Sequence, residues 1–457
     1  MNKELKILLY LIAAFAIIFF LPVDSLRFQG AVIEAFRLLR WYAREHVLLC
    51  LVPAFFIAGA IGVFISQASV MKYFGPTAKK WLSYSVASVS GTVLAVCSCT
   101  VLPLFGGIYM RGAGLGPAIA FLYSGPAINV LAIVLTARVI GWEMGLARAI
   151  GAVLFSIVIG LLMHFIFIKE ERAKVQAAGE VYYGDDIENE RPLWQTVLFF
   201  FSMIGILVFA NWGRPVETTG IWHAIFSAKW VVTALFGIMF AAVLWRFFKV
   251  KFLYLLIGAV ATAAMTFVMP GMPSMAVTAG VIALSIITFY SGSEMTDWRE
   301  QTWGFAKQIT PLLFGGVLVA GFLLGSPESK DAGIIPSIWI QAFVGNTPEA
   351  FMSLTGMIGE APAWLNLIWP VWTNFFASLS GALMYFATLT EVPIVRGLID
   401  SGMGQGPALA LLLAGPALSL PSMLVINSVI GPRKTLVYII LVVIMATISG
   451  MVYGAIV

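Results

Sequence analysis

Charge is what this 457-residue chain lacks most: Asp, Glu, Lys and Arg make up only 11% of it, against 60% hydrophobic residues. A soluble domain carries about 25% charged residues, so this composition, with a mean hydropathy of +0.96, excludes an ordinary water-soluble globule. Metal-ligating side chains are as scarce, with three cysteines and three histidines. Two cysteines one residue apart and a third elsewhere do not make a disulfide framework. His46, His164 and His223 show neither H-E-x-x-H nor H-x-x-E-H spacing and fall near span ends, where an interfacial role is expected. There is no G-x-x-x-x-G-K-[ST] loop and so no ATP hydrolysis in this chain, and no cofactor is implied. The net charge of +5 is not a nucleic-acid signal, because Lys and Arg are dispersed in short loops, where they act as topology signals.

Long apolar runs are abundant. Leu5–Val23 and Leu436–Val457 each reach the roughly 20 residues that a bilayer core demands. Lipid offers the backbone no water, and these runs lack the alternation of barrel strands, so helices are the spanning element. Hydropathy places candidate spans at 5–22, 46–68, 84–110, 117–137, 145–168, 193–212, 229–248, 252–269, 275–290, 309–325, 336–358, 363–388, 405–427 and 434–456. The amino terminus, with Lys3 and Lys6 before a long apolar run and no A-x-A-like site, reads as a retained span. Ser25–His46, with Arg27, Arg37, Arg40 and Arg44 among apolar residues, reads as an amphipathic surface helix. The organisation expected is an N-terminal span and surface helix over 1–45, a first repeat of the core over 46–168 and a polar linker over 169–192. Central spans over 193–335 and a second repeat over 336–457 complete it.

The repeat is the most informative feature. PLFGGIYMRGAGLGPAIAFLYSGPA, from Pro103, finds its match in PIVRGLIDSGMGQGPALALLLAGPA, from Pro393. Gly112 and Gly402 differ by 402 − 112 = 290, and Gly114/Gly404, Pro117/Pro407 and Pro126/Pro416 keep that offset without a gap. An odd number of candidate spans separates the copies, which would invert the second, as in many secondary transporters. The expected fold is an all-α polytopic membrane protein with an inverted internal repeat and Gly/Pro-broken or re-entrant helices. Breaks are expected from Pro103 through Gly106-Gly107, Gly112, Gly114 and Gly116-Pro117 to Gly125-Pro126, and in the copy from Pro393 to Pro416 with Pro421 added, because proline lacks an N–H and clashes with the preceding turn and glycine frees the backbone. Such backbone survives at membrane depth only where it is buried or lines a cavity. Close helix packing is the simpler use of the same glycines.

Candidate site residues cluster at these breaks. Cys97 and Cys99, with Thr100, sit just before Pro103, and their counterparts Ala387 and Leu389 carry no sulfur. Thiolates prefer Cu(I), Zn and similar thiophilic centres. In a regular helix a C-x-C pair splays by about 200°, so convergence on one atom needs unwound backbone. Cys50 could add a third sulfur, although a small apolar core residue is the commoner use of cysteine. Carboxylates in apolar runs are expensive and point to function. Glu391, two residues before Pro393, is the best candidate for a coupling proton. Glu349, after the break at Pro348, is the next, against an exposed loop as its alternative. Asn129 and Ser419 are repeat counterparts directly after Gly-Pro breaks, and Ser124 lies just before one; inter-helix hydrogen bonding is the commonest use of such groups.

The segments CSCTVLP, GPAIAFL, SGPAIN, EVP and GMGQGPALALLLAGPALSLPSM resemble the predicted-permease family that includes the ArsP-type organoarsenical efflux proteins. The resemblance covers about residues 46–168 and 336–457 and leaves about 193–325 without a motif. It implies efflux across the cell membrane of trivalent organoarsenicals or metals, with Cys97 and Cys99 as the thiols offered to the cargo. Two alternatives stay open: a permease for a small anion or polar metabolite held at half-helix N-termini, and a membrane thiol–disulfide oxidoreductase using the C-S-C pair. The implied partners are the lipid bilayer and a small inorganic or organometalloid solute; a homo-oligomer is compatible with the sequence.

Overall fold

The computed structural model describes residues 5, 8, 11–12, 15–16, 19–65, 79–94, 98–128, 130–171, 173, 192–212, 220–269, 271–325, 333–357, 360–384, 391–400 and 402–457. Among them the protein is all-helical, with one isolated β-bridge between Gly345 and Met403. Six helices are long and apolar enough to cross a membrane, or seven if a pair bent by 44° counts as one span. The other candidate spans in the described residues are shorter or interrupted helices, apart from the continuous 21-residue helix Ala363–Leu383.

A continuous helical run opens the described core. Helix α1 (Leu26–Tyr42) passes through a π-helical stretch (Ala43–Leu51) into α2 (Val52–Phe64). The segment that the sequence suggests as a surface helix therefore packs lengthwise, with α2, along the 32-residue helix α12 (Ser293–Leu324). Small residues allow the approach: a Cβ on Gly321 would stand 2.9 Å from the Ala35 Cα. Trp298 of α12 also donates its indole N–H to the Phe56 carbonyl at 2.7 Å.

Within the first of the two segments related by the 290-residue offset lie α3 (Lys80–Leu94), α4 (Ser98–Met110), α5 (Leu115–Ala127), α6 (Val130–Val139) and α7 (Trp142–Ile166). Beyond it lie α8 (Leu193–Ala210), α9 (Ile221–Phe247), α10 (Phe252–Val268) and α11 (Pro273–Tyr290), leading to α12. Two short helices, α13 (Ser337–Val344) and α14 (Glu349–Thr355), occupy the expected span 336–358. The second segment follows as α15 (Ala363–Leu383), α16 (Glu391–Asp400), α17 (Gln405–Ala414), α18 (Leu420–Ile430) and α19 (Pro432–Ile456).

The 290-residue offset holds in three dimensions. Helices α7 and α19 have 25 residues each and start at 142 and 432. In both copies the helical hairpin turns at a left-handed glycine, Gly112 with φ +93° and Gly402 with φ +101°, a conformation costly to any residue with a Cβ. Past each turn a pair of glycines brings backbones together: a Cβ on Gly160 would stand 2.7 Å from the Gly116 carbonyl, and one on Gly450 2.6 Å from that of Gly406. Tyr84 and Asn374, again 290 apart, sit against these two crossings. Contacts between the copies are reciprocal, with α4 on α18 and α6 on α16. Tyr123 donates to the carbonyl of its own counterpart, Leu413, at 2.9 Å.

One expectation is corrected. Helix α4 runs through Pro103 without interruption, and α16 carries Pro393 within its first turn. Pro103 removes only the N–H that would have reached the Cys99 carbonyl, which a buried helix tolerates. Among the described residues the interruptions lie at the two glycine turns, at Ile128 after Gly125-Pro126 and at Gly415–Ser419, all within the Gly/Pro positions where breaks are expected.

Helices α7 and α19 pack on each other head to tail. The first turn of α19 meets the end of α7, where the Lys434 Nζ lies 5.6 Å from the Phe167 ring centroid and 3.0 Å from the Glu171 Oε1. Glu171 also accepts from the Tyr109 hydroxyl at 3.4 Å and the Leu115 N–H at 3.2 Å, so it ties the first hairpin turn to α19. Lys434→Met removes a charged partner from a buried carboxylate and is expected to cost about 1–3 kcal/mol, with Lys434→Arg retaining most of the stability. Thermal melts of the solubilised protein check this, and equal melts for Met and native protein would refute it.

Candidate functional site

A fully buried ion pair lies between the two repeats. Arg148, on the second turn of α7, donates through Nη2 to the Glu391 Oε2 at 2.9 Å, and neither side chain is exposed at all. Glu391 opens α16, where a carboxylate is favoured by the unsatisfied N–H groups and the helix dipole. Arg148 is held from the side by Thr136 of α6, whose hydroxyl accepts from Nη1 at 3.0 Å. The Arg148 Nε and the Glu391 Oε1 are buried without a hydrogen-bond partner among the described residues.

This pair joins the two repeats and has no mirror image. The counterparts of Arg148 and Glu391 are Tyr438 (148 + 290) and Val101 (391 − 290), both buried. Tyr438 donates to the Ala417 carbonyl at 3.5 Å. The repeat supplies the frame, and one polar link is built across it without a symmetric copy. Arginine and glutamate deep in an apolar interior persist when they are paired, since removing one partner strands the other.

The remaining candidates are distributed around this pair. Cys97 and Asn129 lie outside the described residues, as does the Cys99 side chain, although Cys99 itself belongs to the first turn of α4. Thr100 and Pro103 are buried in α4. Ser124 donates to the Ala87 carbonyl at 3.2 Å and so ties α5 to α3. Ser419 caps α18, accepting from the Ser422 N–H at 3.3 Å. Both act as inter- or intrahelical fasteners. Glu349 is exposed and lines a cavity of about 340 Å³ with Asn346. That cavity reaches Gly402, beyond the far end of α16 from Glu391. Cys50 is buried in an apolar cluster with Leu38, Tyr42 and Val317. No three His, Cys, Asp or Glu side chains gather as a metal site among the described residues. His164 is buried beside Gly116, two residues before the end of α7.

Arg148 is the residue that sequence reasoning passes over. It sits inside a candidate span, and the expense of burying a charge singles it out as it does Glu391; arginines near span ends are commonly read only as topology signals.

A family model described as predicted permease, ArsP_1, matches residues 33–455. This chain belongs to that family. It is 39% identical over 418 residues to the UPF0718 protein MJ0584 of Methanocaldococcus jannaschii, covering 91% of this chain and 93% of the relative. The UPF0718 protein YraQ of Escherichia coli is 34% identical over 108 residues, covering 21% of this chain and 29% of its own. YcgR of Bacillus subtilis, also a UPF0718 protein, is 22% identical over 125 residues, or 27% and 42% of the two chains. No solved structure matches. As a member of the ArsP_1 family, the protein is a multi-pass permease of the cell membrane, a transporter rather than an enzyme, which sets aside the oxidoreductase reading.

Proposed function

We propose that this ArsP_1 permease is a secondary efflux transporter for thiophilic metal or metalloid species, trivalent organoarsenicals foremost. The observation that carries the reading is the Arg148–Glu391 pair, a fully buried charge link between two structural repeats. A link of that kind costs desolvation and adds little net stability, so a switching role suits it better than a purely structural one. Under this reading the two repeats are inverted in the membrane and rock against each other about the pair. Protonation of Glu391 would neutralise its side of the link and release Arg148, so that inward proton movement drives cargo outward. Cys97 and Cys99 would hold the cargo: an R–As(OH)₂ exchanges its two hydroxyl groups for two sulfurs, the thiol protons leaving with them as water. Helix α4 starts at Ser98, between the two cysteines, and Thr100, Pro103, Ser124, Asn129 and Ser419 would shape the surrounding path. Glu349 would serve as a second proton carrier, and Cys50 as a third sulfur.

A second reading draws on Arg148 itself, since a buried guanidinium with an unpartnered Nε suits an anion. One experiment separates the two. Cells expressing native protein, Cys97→Ser, Cys99→Ser or Glu391→Gln are compared for accumulation of a trivalent methylarsenical, Cu(I), Zn(II) and an unrelated organic anion. Lower accumulation of a soft species with native protein, lost in all three variants, supports the thiophilic reading. Anion movement untouched by the serine substitutions supports the second and refutes the first.

A further inference from the structure

We propose that two cavities, one at the tip of each helical hairpin, are the mouths of a single route and open on opposite faces of the membrane. The transporter reading says what passes; the placement of the mouths rests on geometry alone. The first cavity, about 290 Å³, lies between the end of α2 at Gly62 and Val63, the start of α12 at Asp297 and Gln301, and Arg111 in the α4–α5 turn. The second, about 340 Å³, lies between α13, α14 and the α16–α17 turn, lined by Asn346, Thr347, Glu349, Ser353 and Gly402. Arg111 and Gly402 belong to equivalent turns, around the left-handed Gly112 and at its counterpart.

The two turns stand at opposite ends of α19. The first is tied through Tyr109 and Glu171 to Lys434, in the opening turn. The second packs its following turn against the closing stretch, a Cβ on Gly454 standing 3.2 Å from the Gly406 Cα. From 434 to 454 the helix climbs 20 residues, or about 30 Å at 1.5 Å each, which matches a hydrocarbon core of about 30 Å. Helix α19 is itself long and apolar enough to span. Polar linings at both ends of a bilayer-length helix place each cavity at an aqueous boundary, since such groups are costly against lipid.

The chemistry of the mouths differs. The first joins Arg111 to Asp297 and Glu300, both signs together. In the second, Glu349 is the one charged group among the described residues, beside an amide and hydroxyls, so its field favours neutral or cationic solutes over anions.

The test places single cysteines in the full-length protein at exposed positions of each cavity, Gln301→Cys and Ser353→Cys. Each is exposed to a membrane-impermeant maleimide in intact cells and in inside-out vesicles, with labelling read above that of the parent protein. Gln301→Cys labels from one side and Ser353→Cys from the other. Labelling of both from the same side, or of either from neither, overturns the proposal once gel filtration shows folded protein. Glu300→Cys and Thr347→Cys repeat the test where a first variant fails to fold. At Ser353→Cys a cationic thiosulfonate reacts faster than an anionic one, and that preference is lost on adding Glu349→Gln; equal rates before that substitution overturn the selectivity. Opposite-side labelling without arsenical transport leaves the mouths standing and sinks only the thiophilic reading.

Discussion

Arg148→Met is expected to leave little folded protein, whereas Arg148→Met combined with Glu391→Leu recovers folding but not transport. The single substitution strands a carboxylate that has no solvent exposure and whose second oxygen already has no partner among the described residues. Breaking a buried pair from one side costs about 3–5 kcal/mol, a large share of the roughly 5–15 kcal/mol that holds a typical domain together. Removing both charges and filling the space with apolar side chains is often neutral or stabilising. Thr136 loses its partner in both variants but keeps its bond to the Ala132 carbonyl at 2.7 Å, so it does not decide the difference. The measurement is the melting midpoint and monodisperse yield of detergent-solubilised protein, set beside uptake or efflux in vesicles. A single variant as stable as native protein would mean the pair is not buried. A double variant that still transports would remove Glu391 from coupling.

The contrast between Glu391 and Arg148 shows how far residues alone can be read. The cost of a charge in an apolar run points to Glu391 from the sequence. The same cost applies to Arg148, but an arginine near a span end has a second, ordinary use in setting topology, and the two uses look alike in one sequence. The spacing of glycine and proline carries the repeat because it records backbone requirements. Gly112 and Gly402 need a left-handed φ, while Gly116, Gly160, Gly406 and Gly450 need bare backbone. Proline is a weaker guide to a break: it fixes its own φ and removes one donor, and Pro103 sits in a helix that continues past it. Amphipathic periodicity in Leu26–Tyr42 marks a helix with two unlike faces but not what covers them; here α12 does. Glu170 and Glu171 open a stretch whose composition reads as linker, yet they pair with Arg433 and Lys434 of the other repeat. That partnership depends on distant chain segments meeting, which no local pattern encodes.

Gly160→Val and Gly450→Val are expected to destabilise the protein to a similar degree, because they probe the same crossing in the two copies. A new Cβ at either site would stand 2.7 or 2.6 Å from a carbonyl oxygen of the facing helix, closer than any ordinary contact, and backbone rather than a flexible side chain would have to move. Overpacking a close-packed interior costs about 1–3 kcal/mol. In a membrane interior, small residues are what let helix backbones approach at all, so the penalty also falls on the helix pairing itself. The crossings join α5 to α7 and α17 to α19, the helices that carry each hairpin on its repeat's long span. Displacing either therefore shifts a hairpin turn and the cavity beside it. Gly237→Val is the control, since a Cβ there meets nothing within 4 Å on α9, and its melting midpoint should stay near that of native protein. Equal losses at 160 and 450 follow from two copies of one packing solution. A neutral Gly450→Val beside a damaging Gly160→Val would mean that the second copy has relaxed, and that the 290-residue offset marks ancestry without shared mechanics.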